Sequence, residues 1–263
     1  MPVSTLIRAK RDTALSQIMR PPQALIGADM DQEEVAFLFR KYNLASAPVV
    51  DEAGRITGVL TVDDIVHVIQ EEGEEDLLKL SGVSDASQAD TVATSVRARA
   101  PWLGFNLITG IASATVISFF GASIQKMVAL AVLMPIVASV GGNAGTQALA
   151  VAVRALAARD LTTSNALRHV SRELLTGFCN GVGMALLLAA VSWFWFGNPM
   201  ISLAVGLAVV INLTAAGLVG ILVPLTLRRL GQDPAVSSSV FVTFVTDFTG
   251  FLAFLGLATA LIA

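Results

Sequence analysis

The chain has 263 residues, 54 % of them hydrophobic and 14 % charged, with a mean hydropathy of +0.72. That is too apolar for an ordinary water-soluble domain, and a formal net charge of −3 without basic–aromatic interleaving excludes a nucleic-acid binder. The single cysteine, Cys179, excludes a disulfide within the chain and reads as a small buried hydrophobe inside an apolar run.

Charge is unevenly spread. The first hundred residues hold 10 Lys and Arg against 16 Asp and Glu, and the remainder holds 7 against 4. An acidic part therefore precedes an apolar, mildly basic part, as expected of two domains in two solvents. The N-terminus is polar and lacks the apolar core of a signal peptide.

In chain order, residues 31–43 carry Val35, Leu38 and Phe39 at helical spacing, with Asp31 as the expected N-cap. Residues 46–52 read as a β-rich run that turns at 51–54, and residues 55–62 as the returning strand of a hairpin. Residues 62–80 repeat Ile65, Val66 and Ile69 and read as a helix. The acidic run on that helix comprises Asp63, Asp64, Glu71, Glu72, Glu74, Glu75 and Asp76, with no Lys or Arg before Lys79. It fits either a solvated face or a divalent-ion sensor, in which a bound cation lets acidic surfaces approach.

Five long apolar segments follow, at 102–120, 127–153, 174–196, 200–227 and 235–263. Each reaches or approaches the roughly 20 residues needed to span a bilayer. Placing the acidic domain in the cytoplasm puts Arg154, Arg159, Arg168, Arg172, Arg228 and Arg229 on the same side. The opposite connections then hold only Lys126, in line with the positive-inside bias, and the C-terminus falls outside.

Asp247 is the single charged residue inside these segments. It lies about 18 Å into the last one at 1.5 Å per residue, near the bilayer midplane. An ionised carboxylate there needs water, a cation or a polar partner. Ser239, Thr243 and Asp247 recur every four residues and share a helix face, with Thr246 and Thr249 nearby. A structural hydrogen bond between helices is one reading. A cation path is favoured, because the spans contain no Lys or Arg to pair with the acid.

The second span carries "SVGGNAGTQ" at 139–147. Gly141 and Gly145 suit close helix packing, a common meaning of this spacing. That leaves Asn143, Thr146 and Gln147 unexplained in the same stretch. The glycines also permit local unwinding, which at membrane depth survives only along a watery cavity and would expose the hard oxygen ligands that Mg²⁺ and Ca²⁺ prefer. Gly181–Ala185 reads as packing. Asn106, Asn180 and Asn212 read as polar residues bonding neighbouring helices, and His67 and His169 stand apart from any metal-ligand spacing. No nucleophile–base pair, P-loop or dinucleotide fingerprint points to an enzyme.

The stretches "PIVASVGGNAGTQALAVAVRALAARDL" and "LRRLGQDPAVSSSVFVTFVTDFTGF" closely resemble the transmembrane domain of the MgtE family of magnesium channels. "SAPVVDEAGRITGVLTVDDIVHVIQEEGEEDLLKL" resembles the family's second CBS domain and the start of its connecting helix. The resemblance implies a mixed fold: a small α/β CBS-like cytoplasmic domain followed by an all-α five-helix transmembrane domain. Its expected divisions are a tail of a first CBS-like unit or linker at 1–19, a CBS domain at 20–70, an acidic connecting (plug) helix region at 71–100 and the five spans at 101–263. Relative to family length the chain begins late, so its CBS domain is expected to pair across a dimer or stay incomplete.

The same resemblance implies a homodimer in lipid with a pore on its two-fold axis and a pair of Asp247 carboxylates at a hydrated-Mg²⁺ site. Gly142 and Thr146 would face that site from the second span, with Asn143 in the same polar turn, and Ser239 and Thr243 from the fifth. Some members carry Asn at the Thr146 position, and Asn and Ala at those of Ser239 and Thr243. Asp64, Glu72, Glu75 and Asp76 fall on the family's Mg²⁺-sensing carboxylates, whereas His67 stands where another acid is expected. Gly58, Thr61 and Asp64 match the CBS pattern for nucleotide ribose contacts, so ATP is an implied ligand. The expected function is passive, Mg²⁺-gated magnesium uptake across the inner (plasma) membrane. The alternatives are transport of Co²⁺, Mn²⁺ or Ca²⁺, or a non-conducting CBS-containing sensor.

Overall fold

The polar and apolar parts of the chain form two compact units, Met1–Glu75 and Asp76–Ala263. They are seen in a computed structural model that describes residues 3–10, 12–19, 21–81, 91–162, 164–235 and 238–262.

In the first unit, two short helices, α1 (Val3–Arg8) and α2 (Leu15–Ile18), precede a three-stranded sheet. Its strands are β1 (Ile26–Gly27), β2 (Ser46–Val50) and β3 (Ile56–Thr61), in that spatial order. The hairpin forms as expected: β2 and β3 pair antiparallel, with Ser46 opposite Thr61 and Pro48 opposite Val59. Its turn is held by the Asp51 carboxylate, which accepts from the Arg55 amide at 2.8 Å, and Gly54 supplies the required positive φ of 75°. β1 pairs parallel to β2. It was not expected, because a two-residue strand has no periodicity to detect.

Helix α3 (Gln32–Tyr42) begins at Asp31, whose carboxylate accepts from the Glu33 amide at 2.9 Å, and ends at Asn43 in the left-handed region. Helix α4 (Val62–Leu80) has the bounds read from sequence. Ile26, Val35, Phe39, Ala47 and Ile65 close the core of this unit.

The second unit contains five helices long and apolar enough to cross a membrane. They are α5 (Val92–Phe119), α7 (Val128–Ala157), α8 (Ala166–Phe196), α9 (Pro199–Arg229) and α10 (Ser238–Ile262), with a short α6 (Gly121–Lys126) between the first two. α5, α7 and α8 extend well past the apolar segments. Polar ends such as Arg97, Arg99 and Arg154 interrupt hydropathy without interrupting the helix.

α9 is the hub, packed by α7, α8 and α10. Small residues let backbones touch. A Cβ at Gly177 of α8 would lie 2.5 Å from the Leu213 carbonyl oxygen, and one at Gly217 of α9 would lie 2.6 Å from that of Glu173. Gly181 and Ala185 continue the buried face of α8, as expected of packing residues. Cys179 falls off that face and is exposed, which corrects the expectation of a buried thiol. α5 leans on α10, where Phe105 meets Phe241 edge-on at 5.4 Å. Large apolar side chains such as Leu107, Leu186 and Phe194 remain exposed, as suits a bilayer.

The Arg228 guanidinium donates to the Leu161 carbonyl at 3.2 Å, so the α7–α8 and α9–α10 connections lie at one end of the bundle. Lys79 joins Asp233 at 2.8 Å at that end, and Leu80 packs with Leu149, Val153, Ala235 and Val242. At the opposite end Thr259 donates to Ser123 of α6.

The glycine contacts predict that Gly217→Ala lowers the thermal stability of the detergent-solubilised protein by about 1–3 kcal/mol, because the obstructing atom is backbone. Gly183→Ala, whose methyl meets open space, should be neutral or mildly stabilising. Tryptophan-fluorescence melts of the two variants provide the comparison.

Candidate functional site

The glycine-rich stretch of α7 does not unwind. The helix runs unbroken from Val128 to Ala157, which corrects the expectation of exposed, freed carbonyls. The reason lies in how its two faces are used. Gly141 and Gly145 are buried against neighbours: a Cβ at Gly141 would meet the Asn212 side chain, and one at Gly145 would lie 2.5 Å from Val242 and 3.3 Å from Thr246. Gly142, Asn143, Thr146 and Gln147 occupy the other side, half-buried or exposed. The Thr146 hydroxyl donates to the Gly142 carbonyl at 2.9 Å, reinforcing the turn and leaving its own oxygen lone pairs outward.

α10 shows the same division. Val242, Thr246 and Gly250 are buried, with the Thr246 hydroxyl on the Thr243 carbonyl at 2.9 Å. Ser239 and Asp247 are half-buried and Thr243 is exposed. Asp247 lies nine residues beyond Ser238, about 14 Å along the axis. Among the described residues it makes no hydrogen bond or ion pair.

Helix direction brings the two polar faces together. The C-terminal end of α7 meets the N-terminal end of α10, through Val153, Leu149, Ala235 and Val242, so the helices run antiparallel. Gly145 touches Val242 and Thr246. One residue further along a helix turns the side chain by about 100°. In antiparallel neighbours this step rotates both side chains towards the same flank. Gly142 and Thr146 follow Gly141 and Gly145, and Thr243 and Asp247 follow Val242 and Thr246. Both sets therefore open on one flank of the α7–α10 seam, offering hydroxyl and carboxylate oxygens, with Gly142 supplying room beside them.

The acidic residues of α4 are placed differently. Asp64 is in the first turn; its carboxylate accepts from the Thr61 hydroxyl at 2.6 Å and the Thr61 amide at 2.9 Å. These bonds, the hydroxyl's foremost, hold the Asp64 carboxyl below its ordinary value of 3.8. One oxygen of Asp64 thus caps the helix, which sequence reading assigned to sensing or ribose contact alone. Gly58 of β3, three residues before Thr61, pairs with Val49 of β2, and open space lies above its Cα. Glu72 accepts from the Gln32 amide, and Glu75 and Asp76 are half-buried. Among the described residues no three His, Cys, Asp or Glu side chains of one chain converge to hold a metal ion.

The comparisons divide the chain along the same lines. A family profile described as a divalent cation transporter (MgtE) matches residues 134–257, and a CBS domain profile matches residues 15–71. The magnesium transporter MgtE of Thermus thermophilus is 37 % identical over 261 residues, covering 98 % of this chain and 58 % of that protein. Its namesakes from Bacillus subtilis and Enterococcus faecalis are 36 % and 35 % identical over 241 and 248 residues. They cover 90 % and 94 % of this chain, and 53 % and 55 % of their own lengths. The chain thus spans little more than half the length of the curated relatives it matches.

The depressed Asp64 carboxyl carries a sign. Its cap stabilises the fold above the ordinary carboxylate range and is lost as pH falls through the lowered value. Asp64→Ala should reduce the denaturant midpoint of the first unit at pH 7, and the gap to the parent should start to narrow as pH falls below about 3.8, the ordinary value, and close once the lowered value is passed. Urea titrations across pH measure it.

Proposed function

The chain belongs to the MgtE family of divalent cation transporters, and on that premise we propose that it carries Mg²⁺ passively across the plasma membrane along the polar flank of α7 and α10. One observation carries the reading: a half-buried carboxylate, Asp247, without an ionic or hydrogen-bonding partner among the described residues, stands in a span on the flank where Gly142, Thr146 and Thr243 also open. A lone ionised carboxylate at mid-bilayer costs about 2.5–3.5 kcal/mol, which a passing cation offsets.

A single chain offers one open wall. A second copy related by a two-fold axis closes it and opposes two Asp247 carboxylates, matching a divalent charge. Ser239, Thr243, Asn143 and Thr146 then supply neutral side-chain oxygens, and Gly142 leaves room for the ion's water shell. Such a lining suits an ion that sheds water reluctantly and passes hydrated. The basic connections at one end, with Lys79 and Leu80, favour a cytoplasmic placement of that end and of the first unit, and an external C-terminus.

On this reading Glu72, Glu75 and Asp76, with the free oxygen of Asp64, sense cytoplasmic Mg²⁺ once copies are apposed and bias α4 towards a closed state. Gly58, Thr61 and Asp64 form the corresponding ATP-ribose site. The family profile names divalent cations at large, so Co²⁺, Mn²⁺ and Ca²⁺ are the competitors to include.

In proteoliposomes, Asp247→Ala should abolish Mg²⁺ flux while the protein still elutes as a folded dimer. Parent-like flux in that variant would remove Asp247 from the pathway. Neutralising Glu72, Glu75 and Asp76 together should weaken inhibition of flux by Mg²⁺ on the first-unit side, and an unchanged dose–response would refute the sensor.

A further inference from the structure

Asn212 of α9 is fully buried, 0 % exposed, at the junction of three helices. Its Nδ2 donates to the Val137 carbonyl of α7 at 3.0 Å. A Cβ at Gly141 of α7 would lie 2.1 Å from that nitrogen, and one at Gly250 of α10 would lie 2.6 Å from it. The amide is therefore enclosed between a glycine of each helix, and any side chain at either position would displace it. Its Oδ1 has no partner among the described residues. An apolar residue of the same size would avoid that penalty, so simple packing does not account for an asparagine here.

The contact constrains α7 from both directions. The glycine contacts determine how closely α7 and α10 approach the amide, and the hydrogen bond resists their separation. The level is significant too. Gly141 immediately precedes Gly142, and Gly250 lies three residues beyond Asp247, so Asn212 sits behind the polar flank at the level of Gly142 and within about one helical turn of the carboxylate. We propose that Asn212 is a positioning residue for the ion pathway, fixing the α7–α10 spacing that sets the separation of Gly142 and Thr146 from Thr243 and Asp247. This rests on the reading of that flank as the Mg²⁺ path. Asn212 touches no ion. It acts through Val137, Gly141 and Gly250. A site for a hydrated ion discriminates by the distance between its walls, and shifts on the order of 0.5 Å degrade such a constellation.

The test uses the full chain in proteoliposomes and two variants that disturb the contact from different sides. Asn212→Leu keeps the side-chain size and removes the amide, and Gly250→Ala pushes a methyl into an unaltered Asn212. Each is compared with the parent for half-saturating Mg²⁺, for Mg²⁺ preference over Ca²⁺, and for maximal flux per folded molecule. A fourth readout is the rate of intrachain cross-linking between Thr146→Cys and Thr243→Cys on a Cys179→Ala background, followed by mass spectrometry. Both variants should raise half-saturating Mg²⁺ about fivefold or more. They should also narrow the preference over Ca²⁺ and alter the cross-linking rate, with a smaller change in maximal flux. A purely structural residue would lower the melting temperature and yield and leave the half-saturation and ion preference of the folded fraction in place. Folded variants with parent-like cross-linking, half-saturation and ion preference overturn the proposal alone. A parent chain without Mg²⁺ flux overturns the pathway reading and this proposal with it.

Discussion

Helices in a bilayer gain little by hiding apolar surface from lipid, which is as apolar as leucine, so they must hold together by close contact. The second unit depends on that constraint. α9 brings small residues against α8 and α7: Gly217 meets the Glu173 carbonyl, and Gly220 meets Ala148 and the Gly145 carbonyl. Dispersion forces fall off steeply with separation, so backbones in contact achieve what bulky side chains at a distance cannot. The same contacts use up one side of α7 and α10. What remains on the other side is the polar flank, and its composition follows from what the packed side excludes.

This arrangement explains why a carboxylate without a partner among the described residues is tolerated. Asp247 is adjacent in sequence to the buried Thr246, yet turned to the open flank by one helical step. Thr246 satisfies its own hydroxyl within α10, on the Thr243 carbonyl rather than on Asp247. A carboxylate tied to a lysine or arginine would already be neutralised and of little use to a cation. An untied carboxylate beside neutral oxygens is a site whose charge is compensated only when an ion arrives. On the proposed function, a second copy apposed across a two-fold axis would double that charge to the valence of Mg²⁺, so the proposed dimer and the proposed divalent transport rest on the same electrostatics.

Much of this was legible in the residues. The Asp31 cap, the hairpin around Asp51–Gly54 and the extent of α4 each follow from local chemistry, and local chemistry survives in the fold. The five spans were legible because length and hydropathy are coarse and strong signals. Other features depend on tertiary context. Two residues of β1 become a strand only because β2 lies beside them. The glycines of α7 suggest unwinding until their neighbours are known, since glycine permits both a broken helix and a close one. Asn212 read as one of several polar residues in spans. Nothing local separates it from Asn106 or Asn180, which are exposed, whereas Asn212 meets Gly141 and Gly250 across a junction. Cys179 was misplaced because an apolar run does not reveal which face of a lipid-exposed helix is buried.

On the proposed function, this chain, with a second copy and lipid alone, moves Mg²⁺ down its electrochemical gradient. An inside-negative potential of 100 mV adds about 4.6 kcal/mol to inward movement of a divalent ion, twice the single-charge value. The most direct measurement is Mg²⁺ entry into liposomes containing the purified chain, with the potential set by a potassium gradient and ionophore. Uptake should need no other energy source and should rise with the imposed potential. Entry no faster than into protein-free liposomes at any potential would contradict it.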